Sequence, residues 1–142
     1  MDFDSVTRRF DPYRPRLKTE LMETYISFAT STIRAKEKTL PIVNLTKSKN
    51  GETGTATFIF IKPILFNKPF SIDDLIIGMD LIWGDKKIRT QDIKIFFKKG
   101  NPFLLKSVLI FKNSSEWFNF LNFMAAYSKE TGLLFSENNF FS

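Results

Sequence analysis

The sequence predicts an α+β fold: an antiparallel β-sheet meander of about four to five strands packed against a C-terminal α-helix, with an extended N-terminal tail. Three observations predict it. Between Pro41 and Phe111, short apolar runs with period-two alternation are separated by Gly, Asn, Asp and Pro, the pattern of strands joined by tight turns. After Asn113 the apolar period changes to three and four, the mark of one amphipathic helix. Hydrophobic residues make up 43% of the 142 positions, and 17 of those residues are Phe, so the chain can fill an aromatic core. A lone antiparallel sheet cannot bury both faces, so the helix must cover one of them.

Residues 1–16 carry Pro12 and Pro15 among basic and tyrosyl side chains, with almost no apolar period, and read as an extended tail. Residues 17–33 admit two readings. Leu17, Leu21, Tyr25 and Phe28 fall at helical spacing, with Met22, Ile26, Ala29 and Ile33 beside them. Alternatively, a helix ends near Thr24 and a short strand covers 25–28. Residues 30–39 are polar and read as a loop, and Pro41 fixes the entry to a strand at 42–47. Asn50-Gly51 is a hairpin signal, because both residues tolerate the positive φ of a type I′ turn, and Gly54 gives a second flexible point. Thr55, Thr57, Ile59 and Ile61 then alternate against Ala56, Phe58 and Phe60 in a strand at 55–61.

Pro63 and Pro69 bound a connecting loop in which Asp73-Asp74 opens a short turn. A strand at 75–83, a turn at 84–87 and a strand at 88–98 follow. Gly100-Asn101-Pro102 turns the chain into a strand at 103–111. Asn113 caps the helix and Glu116 reaches back to it, a capping-box variant. Trp117, Phe120, Leu121, Met124 and Tyr127 form the apolar stripe, Lys129 lies in the last turn, and Gly132 is the stop.

The chain has no cysteine and no histidine. That removes disulfides, thiolate zinc sites, cysteine nucleophiles and the usual general base near neutral pH. No residues are assigned as catalytic, cofactor-binding or metal-ligating. Asp73, Asp74, Asp80 and Asp85 lack any ligand spacing, and no glycine-rich phosphate loop is present. No apolar run is long enough to span a membrane, and the N-terminus shows no secretory signal pattern, so a soluble or peripheral protein is expected.

The net charge of +6 favours an acidic partner. Lys47, Lys49, Lys62, Lys94, Lys98, Lys99 and Lys106 are interleaved with Phe58, Phe60, Phe96 and Phe103, which resembles a base-stacking surface for single-stranded RNA. No RNP1 string is present, and lysines on edge strands also guard against aggregation, so nucleic acid is disfavoured as a partner. On the helix, Phe118 lies beside the stripe, and Asn119, Asn122, Ala125 and Ala126 leave that face nearly uncharged. The candidate partner-contacting residues are Arg14, Arg16, Lys47, Lys49, Asn50, Arg89, Lys94, Lys98, Lys106 and Phe118.

Four strings are collinear with one family: LTKSKNGETGTATFIF at 45–60, IIGMDLIW at 76–83, FKKGNP at 97–102 and SSEWFNFLNFMAAYSKETGLLFS at 114–136. Together they resemble the thirteen-kilodalton protein family of the photosystem II reaction centre, the Psb28 family. Within them, Gly78-Met79, the asparagine-proline turn and the helix pattern Glu116, Trp117, Phe120, Phe123, Met124, Tyr127, followed by Gly132, Phe135 and Ser136, carry the likeness. Ile26-Ser27-Phe28 matches the family's start and tips 25–28 toward a strand.

The resemblance covers 26–137 and implies a protein without enzymatic activity or cofactor. It implies a peripheral factor on the stromal side of the plastid thylakoid membrane, or the cytosolic side in a cyanobacterium. There it would bind photosystem II intermediates through the forty-seven-kilodalton core antenna subunit. Abundant Phe, Lys, Ile and Asn fit an AT-rich plastid genome. Two departures stand out: a 1–24 extension ahead of the 25–142 domain, and a helix outer face depleted of charge. The alternatives are an RNA-binding or ribosome-associated module, and a structural connector whose 1–24 extension docks an unknown partner.

Overall fold

The computed structural model describes residues 23–31, 33–67 and 76–133. Along these run β1 (Thr24–Thr30), β2 (Arg34–Glu37), β3 (Ile42–Lys47), β4 (Gly54–Ile61), a single 3-10 turn (Ile64–Asn67), β5 (Ile76–Trp83), β6 (Lys86–Thr90), β7 (Ile93–Lys98), β8 (Asn101–Phe111) and α1 (Ser114–Thr131). The class is α+β, as the residues predict. The architecture is richer than one meander of four to five strands. Two antiparallel sheets of four strands form, in the orders β2-β1-β5-β6 and β3-β4-β8-β7.

Two local features account for the added strands and their division between two sheets. The first is β2, which reads Arg-Ala-Lys-Glu and falls within the stretch expected to be a loop. It is a short edge strand that turns only Ala35 and Glu37 inward. The buried Glu37 carboxylate accepts the backbone N–H groups of Thr39 (3.1 Å), Ile64 (2.7 Å) and Leu65 (2.9 Å), tying β2 to the 3-10 turn. The second is a break in the stretch 88–98 at Gln91-Asp92. The Thr90 hydroxyl donates to the Val108 carbonyl (2.6 Å), Asp92 N–H donates to Thr90 Oγ1 (3.1 Å), and Val108 N–H donates to the Asp92 carbonyl (3.1 Å). At that corner the chain leaves one sheet as β6 and enters the other as β7.

The core lies between the sheets. Phe28 of β1 meets Phe60 of β4 edge-on at 5.2 Å. Helix α1 bridges both layers: Phe120 packs edge-on against Phe58 of β4 (6.1 Å), and Phe123 against Trp83 of β5 (5.5 Å). The buried stripe is Trp117, Phe120, Phe123, Met124 and Tyr127, with Leu121 half-buried at its border. Asn113 Oδ1 accepts the Glu116 N–H (2.9 Å), whereas Glu116 Oε1 accepts the N–H of Lys112 (2.7 Å), one residue before the cap. Gly132 ends the helix at φ +83°.

The turns redistribute the glycine roles. In the β3–β4 loop only Gly51 takes a positive φ, +75°. The Asn50 side-chain oxygen accepts the Ser48 hydroxyl (2.6 Å) and the Glu52 N–H (3.0 Å), which closes a longer loop in place of a two-residue type I′ turn. The I′ pattern falls instead at Lys99-Gly100, with φ of +53° and +85° between the paired residues Lys98 and Asn101. Asn101 and Pro102 therefore belong to β8 and not to the turn. Gly54 is no flexible point. It starts β4 under the Trp117 ring, where a Cβ would lie 2.5 Å from the indole. The strand reading of 25–28 holds as part of β1; the tail at 1–16, the helical reading of 17–22 and the Asp73-Asp74 turn lie outside the described residues.

Candidate docking surface

Period-two alternation decides what each sheet shows to solvent. On the β2-β1-β5-β6 sheet, Met79 and Leu81 of β5 enter the core, so Gly78 and Asp80 face the other way. Asp80 is nonetheless fully buried, because arginines from both flanks cover it. Arg89 of β6 donates Nε to Oδ1 (2.8 Å) and Nη2 to Oδ2 (3.1 Å), and Arg34 of β2 donates to Oδ2. Burial by itself raises the Asp80 carboxyl, but the hydrogen bonds from Arg89 and Arg34 and their charges outweigh it and hold the group below its ordinary value. The same pairing raises Arg89. The Arg89 guanidinium lies over Gly78, where a Cβ would stand 3.1 Å from Cζ. Arg89, a candidate partner contact by sequence, is thus engaged with a buried carboxylate. Among the described residues, no group of three acidic side chains is placed to hold a metal.

The β3-β4-β8-β7 sheet is different. Its four strands contain Lys47, Lys94, Lys98 and Lys106 and no Asp or Glu. Its inner face buries Leu45, Ala56, Phe58, Phe60, Leu105 and Leu109. Phe58 and Phe60 are fully buried, which removes them from the base-stacking surface considered from sequence. Cross-strand register places Ile42, Ile59, Lys106 and Lys94 in one outward row, and Ile61, Leu104 and Phe96 in the next. Ile42, Ile61, Phe96 and Ile110 are exposed there.

An open groove of about 700 Å³ lies between the sheets on one side, lined by residues 87–92, by Val108, Leu109, Ile110 and Phe111, and by Glu116 and Asn119 of α1. Among the described strands, β6 pairs only with β5, and residues 109–111 of β8 pair only with β4. The two flanks that face the groove are therefore strand edges. β5 and β6 are joined by the two-residue turn Gly84-Asp85, so the closing pair Trp83 and Lys86 exchanges hydrogen bonds within the hairpin. By alternation, Lys87 and Arg89 turn their backbone groups to the open side.

The remaining sequence candidates are dispersed. Lys49 and Asn50 sit exposed in the β3–β4 loop, Lys47 ends β3, and Lys98 flanks the β7–β8 turn. Phe118 is 64% exposed on α1, beside exposed Asn119 and Asn122. Arg14 and Arg16 lie outside the described residues. Sequence reasoning missed the groove, because nothing in the linear pattern sets β6 against β8. Its one visible trace was the polar run Lys86–Thr90 after a Gly-Asp turn.

The Psb28 protein family model matches residues 26–135, from β1 through α1 and beyond. The chain belongs to the Psb28 family. It is 39% identical over 101 residues to the photosystem II reaction center Psb28 protein of Thalassiosira pseudonana, covering 71% of this chain and 89% of that one. It is 41% identical to the protein of the same name from Phaeodactylum tricornutum, covering 71% of this chain and 88% of the relative. It is 40% identical to that of a Nostoc species, covering 72% and 90%. Two of the strings that carry the Psb28 resemblance touch in space: Gly54 from the β3–β4 hairpin lies under Trp117 of the helix. A third, Gly78-Met79, holds Arg89 on one face and accepts the Ser107 hydroxyl at Met79 Sδ (3.1 Å) on the other.

Proposed function

We propose that this Psb28-family chain is a non-catalytic photosystem II assembly or repair factor. It binds intermediates at the stromal or cytosolic face of the thylakoid, through the forty-seven-kilodalton core antenna subunit. The observation that carries the mode of binding is the groove with a strand edge on each side. An extended segment laid into it would pair its backbone with β6 on one side and β8 on the other, so affinity comes from main-chain hydrogen bonds. Residues 87–90 of β6 give about 13 Å of edge at ~3.3 Å per residue, and residues 109–111 of β8 about 10 Å, since the backbone of Val108 already bonds to Asp92 and Thr90. No helix among the described residues is long and apolar enough to cross a membrane, which fits a peripheral factor. The same proposal divides the chain at Thr24, with 25–142 as the docking domain and 1–24 as an extension. It assigns Lys47, Lys49, Asn50 and Phe118 to the surrounding contact surface.

The test is co-purification of the tagged full chain from thylakoids. Wild type is expected to bring down a monomeric photosystem II intermediate that contains the antenna subunit; recovery with ribosomes alone overturns the proposal. Lys87→Pro removes one groove-facing N–H and leaves the β5 ladder intact, a change that edge strands tolerate. The folded variant should lose the complex. Retention at wild-type yield rules out strand addition at β6.

A further inference from the structure

The β7–β8 hairpin runs past the rest of its sheet. β4 pairs with β8 only over 104–111, and Lys62 N–H donates to the Phe103 carbonyl (2.8 Å) as the last link. Among the described residues, 97–102 continue alone as a two-stranded arm that closes at Lys99-Gly100. The register shifts between Phe96 and Phe97. With that irregularity, two successive phenylalanines are both exposed, Phe96 at 46% and Phe97 at 63%, where a regular strand over a core would bury one of them. Among the described residues, the charged side chains on β4, β7 and β8 and at the tip are all lysines. Lys62 and Lys98 place their ammonium groups 5.8 and 5.2 Å from the Phe103 ring centroid, and Lys99 forms the tip. Lys94 and Lys106 stand directly opposite one another, a pairing that costs stability unless an anion sits over it.

We propose that this arm contacts an anionic lipid surface. Phe96 and Phe97 enter the headgroup layer, and Lys62, Lys94, Lys98, Lys99 and Lys106 meet its negative headgroups. Three features favour a bilayer over an acidic protein segment. The arm runs past its last link to β4 and ends in a tight turn. The irregularity interrupts the β7 edge that an added strand would need. Aromatic rings flanked by lysines suit the boundary between headgroups and acyl chains. The proposal deepens the peripheral-membrane part of the reading above, and its test contains no photosystem protein, so the two fail separately.

The experiment is sedimentation of the purified full chain with vesicles of phosphatidylcholine containing phosphatidylglycerol, against phosphatidylcholine alone. The chain should bind the anionic vesicles and release as salt rises, with little binding to the neutral ones. Lys98→Gln and Lys99→Gln should each weaken binding by about fivefold. Phe97→Ser should weaken it by roughly tenfold. Unchanged circular dichroism and unfolding midpoint would show that each variant is folded. No binding to anionic vesicles at low salt, equal binding to neutral vesicles, or wild-type binding by all three folded variants would overturn the proposal. Full displacement from vesicles by an equal charge of polyglutamate would also overturn it, by showing that charge alone is read.

Discussion

Replacing Gly54 by alanine tests whether the β3–β4 hairpin and the helix are locked together by one close approach. The new Cβ would stand 2.5 Å from Cζ3 and 2.6 Å from Cε3 of Trp117, and 3.0 Å from the Thr46 carbonyl. Carbon atoms rest at about 3.5–4.0 Å, so ring or strand must give by roughly 1 Å. Neither moves freely. Trp117 is packed against Phe111 (5.5 Å) and Phe120 (5.9 Å), and β4 is paired on both sides. Overpacking of this kind costs about 1–3 kcal/mol, and a rigid ring against backbone places Gly54→Ala near 3. In urea, with a slope of about 1–3 kcal/mol per molar, the unfolding midpoint should fall by roughly 1–3 M. Trp117→Phe removes the crowded part of the indole, so Gly54→Ala should cost about 1 kcal/mol or more less in that background. A loss below about 0.5 kcal/mol, or the same loss in both backgrounds, would refute the reasoning.

Asp80→Asn should destabilise the fold by about 2–4 kcal/mol at neutral pH, at the lower end for a broken buried pair because Arg34 and Arg89 stay partly hydrated. Because the folded-state Asp80 carboxyl lies below its ordinary value of 3.8, its contribution is present above that pH and is lost as pH falls through the folded value. Unfolding midpoints of wild type and Asp80→Asn should therefore converge in acid; a constant gap would count against the pairing. Burial, and then the charge of Glu37, push Tyr127 up to about 12 from 10.0. Stability should hold below pH 10 and fall by about 2–3 kcal/mol as pH rises toward 12, a limb that Tyr127→Phe should flatten in alkaline unfolding curves. Asn113→Ala removes the bond to the Glu116 N–H and should cost about 1 kcal/mol, read as a lower thermal midpoint with the fold unchanged.

Sequence legibility tracked how local each signal was. The helix from Asn113 to Gly132 is legible in the sequence because cap, period and stop lie within one element, and the structure adds Phe123 to its buried stripe. Strands β3, β4 and β5 were placed to within a residue, since each carries its own apolar run between turn residues. β2 reads as loop in the sequence because a charged edge strand with a buried glutamate has no apolar alternation to show. The corner at Gln91-Asp92 was invisible, because its bonds go to Val108, far along the chain. Among the candidate contacts, lysines could be named from composition, but their common face could not. That depends on which strands become neighbours.

By itself the sequence determined the α+β class, the terminal helix, the positive charge and the family resemblance, all properties of residue type and short-range order. Tertiary structure decided the rest. It split one expected meander into two sheets, withdrew Phe58 and Phe60 into the core and engaged Arg89 with Asp80. It also set two strand edges on either side of a groove. Those outcomes rest on cross-strand register and on the approach of residues distant in the chain, and no local period encodes either.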